Sequence, residues 1–195
     1  MRTEGVPIVK SPLSRPRLRP YIGVAALVIT LLAVPAAPAS ALPAPIRELT
    51  ETFEGSSANT WTFDGAAGCD FCGYVLSDSS VAHSGTKSAF IETFGFFSSF
   101  FSVGKSVHLV FGANHTCIAR LYVKHIGAAN IEVINPTNWT YVALRSLPGT
   151  STSYQFQSLS WVGGPTDVYF RVSTVSDSVE PDPWTYVDDI TIDCL

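Results

Sequence analysis

Aromatic side chains in polar surroundings are the first feature of this sequence that could bind a ligand. Trp139 and Trp184 are flanked by polar or turn-forming residues, which favours a loop or rim position, and Tyr141 follows Trp139 two residues later. Flat aromatic rings stack on the apolar C–H faces of sugar rings and lose little conformational entropy when they do so. We therefore predict Trp139, Tyr141 and Trp184 as ligand-binding residues.

Two adjacent carboxylates form a second candidate site. Asp188 and Asp189 precede the last predicted strand, in which regular alternation would place Asp189 on one face and start the inward-facing row at Asp188. A carboxylate at the edge of a core must be paired or bound to a cation, and calcium prefers carboxylate and carbonyl oxygens. Glu54, at the end of the first predicted strand, is a natural second ligand. Two surface aspartates in a turn are the alternative.

Four cysteines predict disulfides, because secreted thiols are usually paired. Cys117 and Cys194 both lie at core-facing positions of strands far apart in the chain, so we expect them to be joined. Closing such a long loop stabilises the fold by roughly 4–5 kcal/mol in the chain-entropy model. Cys69 and Cys72 would then pair locally. A redox dithiol or half of a zinc site at Cys69 and Cys72 is disfavoured, because the surrounding glycines indicate a loop.

No catalytic motif stands out. The sequence has no G-x-S-x-G elbow, no H-E-x-x-H and no phosphate-binding glycine loop, and its histidines lack metal-ligand spacing. Glu92 and Glu132 are the glutamates in the middle of the chain, and solvated strand positions explain them as well as a catalytic acid pair would. The residues therefore favour a protein that is not an enzyme.

Short segments of alternating hydrophobicity must position these candidate residues. In residues 117–124, Cys117 and every second residue after it are apolar, and residues 131–134, 141–144, 154–157, 168–172 and 190–194 behave similarly. Turn residues separate these segments, and no long stretch has helical periodicity. This pattern predicts an all-β sandwich or barrel.

The N-terminal segment has the features of a secretory signal peptide. A basic leader precedes an uncharged apolar run at residues 21–34, and Ala39-Ser40-Ala41 supplies small residues for cleavage. We predict a helical signal peptide at 1–41, a short linker at 42–49 and one domain at 50–195. The apolar run is short for a permanent membrane anchor, which is the alternative. The expected product is secreted and has no stable membrane span after processing.

The charge of this product argues against nucleic acid as a partner. Cleavage after Ala41 removes five of the 12 basic and one of the 16 acidic residues, which leaves 7 against 15 and a formal charge of −8. Such a surface repels phosphate backbones. Neutral ligands and cations are compatible with it.

Three segments together resemble a known family. Thr52-Phe-Glu-Gly55 followed by Trp61, then Ala82-His-Ser-Gly-Thr-Lys-Ser88, then Trp184-Thr-Tyr-Val-Asp-Asp-Ile-Thr-Ile192 resemble landmarks of the galactose-binding-like jelly-roll family. This family includes carbohydrate-binding modules of cellulases and xylanases, and the MAM domains of cell-surface proteins. The resemblance spans about residues 50–195. MAM domains also join a cysteine pair placed like Cys117 and Cys194, but their earlier cysteine pair is missing here.

The resemblance implies a two-sheet antiparallel jelly-roll β-sandwich with a structural calcium. Carried over to this sequence, Glu54 and Asp189 would supply carboxylates to the calcium and Lys87 its backbone carbonyl. The expected function is non-catalytic binding of a carbohydrate or polysaccharide outside the cell. A MAM-like adhesion domain that contacts a cell-surface protein is the alternative, and a small secreted glycan hydrolase is less favoured.

Overall fold

The computed structural model describes residues 44–65, 72–93, 99–110, 115–176 and 182–195. Within these ranges the chain is almost entirely strand, with one short 3₁₀ helix at Ser56–Thr60. The strands are β1 (Ile46–Glu51), β2 (Thr62–Gly65), β3 (Gly73–Ser77), β4 (Lys87–Glu92), β5 (Ser99–His108), β6 (Thr116–Ile126), β7 (Ala128–Asn135), β8 (Thr140–Leu147), β9 (Ser151–Val162), β10 (Asp167–Ser176) and β11 (Trp184–Cys194). No helix in the described ranges is long and apolar enough to span a membrane. The predicted signal peptide lies outside them.

The strands form two antiparallel sheets around one core. The six-stranded sheet has the order β3-β4-β11-β6-β9, and β1 also pairs with β11; the five-stranded sheet has the order β2-β5-β10-β7-β8. Apart from the consecutive pairs β3–β4 and β7–β8, neighbours in each sheet are not consecutive in the chain, as in a jelly roll. The predicted all-β, two-sheet antiparallel jelly-roll β-sandwich is therefore confirmed.

Alternating side chains build the core from both sheets. In β6, Cys117, Ala119, Leu121 and Val123 are buried, and the residues between them are half-buried. In β10, Val168, Phe170 and Val172 occupy the equivalent inward positions. Because successive side chains of a strand point to opposite faces, each sheet also has an outer face, whose side chains point away from the core.

The first strand begins earlier than the sequence predicts. Residues 46–49, which we expected in the linker, belong to β1, and Ile46 pairs with Cys194 of the last strand. Arg47 forms an ion pair with Asp193, whose other carboxylate oxygen accepts a 2.6 Å hydrogen bond from Arg120. These cross-strand charges fix β1 to the sheet.

A bulge in β11 changes which way its first aspartate points. Asp188 pairs with Tyr122, but the next pair is Thr191 with Arg120, so β11 carries one extra residue at this place. Asp189 adopts the left-handed conformation there, with φ of 49°. The prediction that Asp188 starts the inward-facing row is wrong, because the extra residue breaks the alternation and leaves Asp188 on the outer face.

A disulfide joins β6 to β11 at the end of the domain. Cys117 and Cys194 are bonded as predicted, with their Cα atoms 4.1 Å apart and a sequence separation of 77. Cys72 is also disulfide-bonded, and Cys69 lies outside the described residues. The bond connects neighbouring strands of the six-stranded sheet and closes a loop that contains about half of the domain.

Replacing both Cys117 and Cys194 by alanine should lower the free energy of unfolding by roughly 4–5 kcal/mol, because the unfolded chain regains the entropy of a long open loop. Urea unfolding followed by tryptophan fluorescence measures the difference. A reducing agent should lower the stability of the unchanged protein towards that of the variant. A loss below about 1 kcal/mol would contradict the entropic account.

Candidate functional site

The structure separates the three predicted ligand-binding residues. Trp139 lies at the tip of the β7–β8 hairpin and Tyr141 at the start of β8, both at the five-stranded sheet, and their side chains are 63% and 55% exposed. Trp184 opens β11 in the six-stranded sheet and is half-buried. The fold therefore assigns Trp139 and Tyr141 to one surface and Trp184 to another.

Trp139 is held by hydrogen bonds of the hairpin turn. Its N–H donates to the carbonyl of Asn135 at 2.8 Å, and the Asn135 side chain accepts from the Thr137 N–H at 2.9 Å. The side-chain oxygen of Asn138 accepts from the N–H and the hydroxyl of Thr140. Asn135 and Asn138 thus cap the turn through the local side-chain bonds that asparagine favours.

Three rows of side chains cross the outer face of the five-stranded sheet, the face directed away from the core. The register pairs residues across the strands as follows: Thr62, Gly104, Arg171, Glu132 and Leu144 in the first row; Asp64, Ser102, Ser173, Asn130 and Ser146 in the second; Ser106, Tyr169, Ile134 and Tyr141 in the third. Most of these residues are polar, and two tyrosines mark one side of the face.

A buried ion pair occupies the middle of this outer face. The Arg171 guanidinium contacts the Glu132 carboxylate, whose second oxygen accepts a 2.9 Å hydrogen bond from Ser173. Glu132 is only 2% exposed, and Arg171 stacks on the Phe100 ring at 4.9 Å. Our expectation that Glu132 is solvated is wrong, because its partner comes from a strand distant in sequence. A buried ion pair of this kind need not stabilise the fold, because the cost of removing both charges from water opposes the attraction between them.

Tyr169 lies beside this pair, and the position of its ring requires that residue 104 is a glycine. A Cβ atom at Gly104 would come within 2.6 Å of the Tyr169 ring, so a larger residue there would displace the tyrosine. The Tyr169 ring meets the Trp139 ring with centroids 5.8 Å apart and planes at 61°. Burial, reinforced by the Asp64 carboxylate, raises the pKa of Tyr169. Its phenol therefore stays protonated and can donate a hydrogen bond.

Trp184 belongs to a separate group of rings on the six-stranded sheet. Its ring lies 5.2 Å from Tyr186, which is 4.8 Å from Phe90, which in turn is 5.5 Å from Tyr74. These rings meet edge to face or tilted, so they pack against one another and do not form one flat platform.

The predicted metal ligands lie around one turn, residues 83–87, but they are engaged in hydrogen bonds. Glu54 accepts from the N–H groups of Thr86 and Lys87, both at 2.6 Å, and from the Thr86 hydroxyl at 2.9 Å. Asp189 contacts the His83 ring at 2.6 Å and accepts from the Ser84 hydroxyl at 2.7 Å. Glu54 and Asp189 thus bind different residues of the turn.

Asp188 is the deepest of these carboxylates. It is fully buried and accepts from the N–H groups of His83 and Ser84, at 2.9 and 3.1 Å, and from the N–H of Asp189 at 2.8 Å. Burial is the largest influence and raises its pKa to about 6 against these hydrogen bonds. The His83 ring stacks on Tyr122 at 3.6 Å, which holds the turn over the outer face of the six-stranded sheet.

The carboxylates that the resemblance assigns to calcium, those of Glu54 and Asp189, are engaged by the turn in this structure. Calcium needs oxygen lone pairs, and the carboxylate oxygens here accept hydrogen bonds from N–H and O–H groups of the turn. In the described part of the chain, no group of three or more His, Cys, Asp or Glu side chains is arranged to hold a metal. The calcium site stays a prediction of the resemblance.

Sequence reasoning did not find Tyr169, Arg171 or the role of Glu132. A signal was present: inward positions at Val168, Phe170 and Val172 require that Tyr169 and Arg171 point outward. The sequence could not show that Glu132 pairs with Arg171, because that contact depends on the register between β7 and β10.

The fold is shared with solved structures, although no family model and no curated protein matches the sequence. One similar structure is TmCBM61 in complex with β-1,4-galactotriose, with 15% identity, a TM-score of 0.54, and coverage of 72% of this chain and 92% of that one. Another is the CBM22-1 xylan-binding domain of Xyn10C from Paenibacillus barcinonensis, with 14% identity, a TM-score of 0.55, and coverage of 79% and 97%.

A cyclase from Fischerella sp. TAU has the same fold, with 10% identity, a TM-score of 0.53, and coverage of 73% of this chain and 92% of that one. Carbohydrate-binding modules and an enzyme therefore share this sandwich. The fold alone does not decide the activity, and the side chains on its faces must be considered instead.

The raised pKa of Asp188 predicts a dependence of stability on pH. Because the folded protein binds this proton more tightly than the unfolded chain, lowering the pH from about 7.5 to about 4.5 should stabilise the protein relative to Asp188→Asn, by about 2 kcal/mol. Urea unfolding of both proteins across this range measures the difference, and other groups cancel in the comparison. A difference in stability between the two proteins that does not change with pH would contradict the raised pKa of Asp188.

The hydrogen bonds around Glu54 and Asp189 predict that calcium is not needed for folding. Adding millimolar calcium, or chelating calcium with millimolar EGTA, should leave the melting temperature unchanged, because hydrogen bonds from the turn already stabilise both carboxylates. Differential scanning calorimetry in both buffers measures this. A clear rise with calcium that is lost in Glu54→Gln would instead establish the metal site implied by the resemblance.

Proposed function

We propose that this protein is a secreted, non-catalytic module that binds a neutral polysaccharide on the outer face of its five-stranded sheet. The observation that carries this proposal is the buried Arg171–Glu132 pair beside Tyr169 and the exposed Trp139 and Tyr141. Polar groups fixed in position next to exposed aromatic rings are the two components that recognition of a sugar requires.

Each component has a defined part in binding. The Arg171 side chain is 16% exposed, so guanidinium N–H groups that Glu132 does not use can donate to sugar hydroxyls, and the protonated Tyr169 phenol can donate as well. The buried Glu132 carboxylate holds the guanidinium in place. Trp139 and Tyr141 supply rings against which the apolar C–H face of a sugar can stack. Glu132 and Arg171 already neutralise each other in the folded protein. The free-energy cost of removing their charges from water therefore belongs to folding and not to ligand binding.

The electrostatics favour a neutral ligand. Glu132 balances the charge of Arg171, and the Asp64 carboxylate is close enough to raise the pKa of Tyr169. The chain beyond the predicted signal peptide has 15 acidic against 7 basic residues. Both the face and the whole molecule would therefore repel uronic acid chains and sulfated glycans.

The similar structures support the choice of probes. One is a complex with β-1,4-galactotriose and another is described as xylan-binding, and each covers most of this chain. Galactan and xylan are consequently the first neutral polysaccharides to test, with polygalacturonic acid as the acidic comparison.

The rings on the six-stranded sheet support a second candidate function, contact with a cell-surface protein. Tyr74 is 42% exposed and Phe156 is 55% exposed, and both lie on the sheet that carries Trp184. Aromatic side chains are enriched at protein interfaces. This surface is distinct from the proposed glycan site, so the two can be tested separately.

Replacing Trp139 by alanine should weaken binding to xylan or galactan about tenfold or more, because the substitution removes an exposed aromatic anchor. Trp184→Ala, which removes the same side chain on the other sheet, should change the affinity less than twofold. Affinity electrophoresis and pull-down with insoluble polysaccharide measure both effects.

Two results would contradict this location or this function. Binding that is lost in Trp184→Ala but kept in Trp139→Ala would move the site to the six-stranded sheet. Failure of the unchanged protein to bind any neutral or acidic polysaccharide would reject the glycan proposal and favour a protein partner.

A further inference from the structure

The backbone of Trp139 has an unfavourable conformation. Its φ of 56° lies in the left-handed region, where a Cβ atom comes too close to the backbone and glycine or asparagine is preferred. Asn138 is the preceding residue, so a residue type that tolerates this conformation stands next to the position that requires it. A bulky side chain at such a position needs a reason.

The hairpin itself does not supply that reason. The hydrogen bonds of the turn are made by main-chain groups and by the side chains of Asn135, Asn138 and Thr140, and none of them uses the indole. With 63% of its surface exposed, Trp139 also gains little from burial. Strained residues that packing does not compensate are found preferentially at sites that clamp ligands.

A second irregularity in the same hairpin acts on Tyr141. Val133 pairs with Ala143, but Ile134 pairs with Tyr141, so β8 contains one extra residue, Val142. Val142 and Ala143 both pack against the core. Without the extra residue, regular alternation would direct Tyr141 inward; with it, Tyr141 joins the outer row that contains Tyr169.

Each irregularity therefore places one exposed aromatic side chain near Tyr169 on the outer face of the five-stranded sheet. Trp139 meets Tyr169 at an angle of 61°, and Tyr141 is separated from Tyr169 by Ile134 in the same row. We refer to Trp139, Tyr141 and Tyr169 as the aromatic corner. The two devices are independent of each other, since one is a backbone angle at the tip and the other a bulge in the strand.

We propose that the aromatic corner is a preformed subsite for one pyranose ring of the bound chain, and that the left-handed Trp139 gives up stability to hold it in place. The proposal rests on the glycan-binding function inferred above and adds the position that grips a single sugar. Rings that are fixed before binding lose little entropy when the ligand arrives. A gain in binding at the expense of stability is a common compromise at functional sites.

The comparison of Trp139→Gly with Trp139→Ala tests this inference. Both variants lack the indole, and only glycine relieves the left-handed backbone, so Trp139→Gly should melt roughly 2–4 °C above Trp139→Ala. Both should bind soluble xylan or β-1,4-galactan at least tenfold more weakly than the unchanged protein. Tyr141→Ala should weaken binding in the same direction.

The possible failures have different meanings. If Trp139→Gly melts at or below Trp139→Ala, the backbone is not strained and the inference is wrong. If both variants bind as well as the unchanged protein, the aromatic corner is not a subsite, although the glycan-binding function would stand. If the unchanged protein binds neither polysaccharide, the proposed function fails and the subsite with it.

Discussion

Strand β11 controls how the sandwich closes, because two shorter strands must share one of its edges. β4 pairs with residues 184–187 and β1 with residues 190–194, which leaves a junction at the bulge between them. The 83–87 turn crosses this junction. Carboxylates accept hydrogen bonds from the N–H groups of the turn; in an uninterrupted sheet, the carbonyl oxygens of a neighbouring strand would accept them. The acidic residues of the landmark segments therefore complete an interrupted sheet.

The two sheets divide stability and recognition between them. The six-stranded sheet contains the junction, the Cys117–Cys194 disulfide and a turn folded over its outer face, so part of that face is covered within the molecule while Tyr74 and Phe156 stay exposed. The five-stranded sheet contains the bulge in β8, and its outer face carries the exposed Trp139 and Tyr141 beside a buried polar centre.

Features set by local periodicity could be predicted from the sequence, and features set by long-range register could not. The inward rows of β6 and β10 and the pairing of two core-facing cysteines follow from alternation alone. Glu132 was misjudged because its partner is 39 residues away in sequence, and Asp188 because a bulge reverses alternation without a signal in composition. Trp139 and Trp184 have similar neighbours in sequence, and only topology places them on different sheets.

The pairing of Ile46 with Cys194 has a mechanical consequence. Paired Cα atoms in antiparallel strands are about 4.5–5.5 Å apart, so the two ends of the domain lie side by side. Tension applied between them would break the β1–β11 hydrogen bonds one after another, as a zipper opens, and would not load them all at once. Once β1 has peeled away, the bond between Cys117 and Cys194 would transmit the force to β6 inside the sheet and stop further extension at that end.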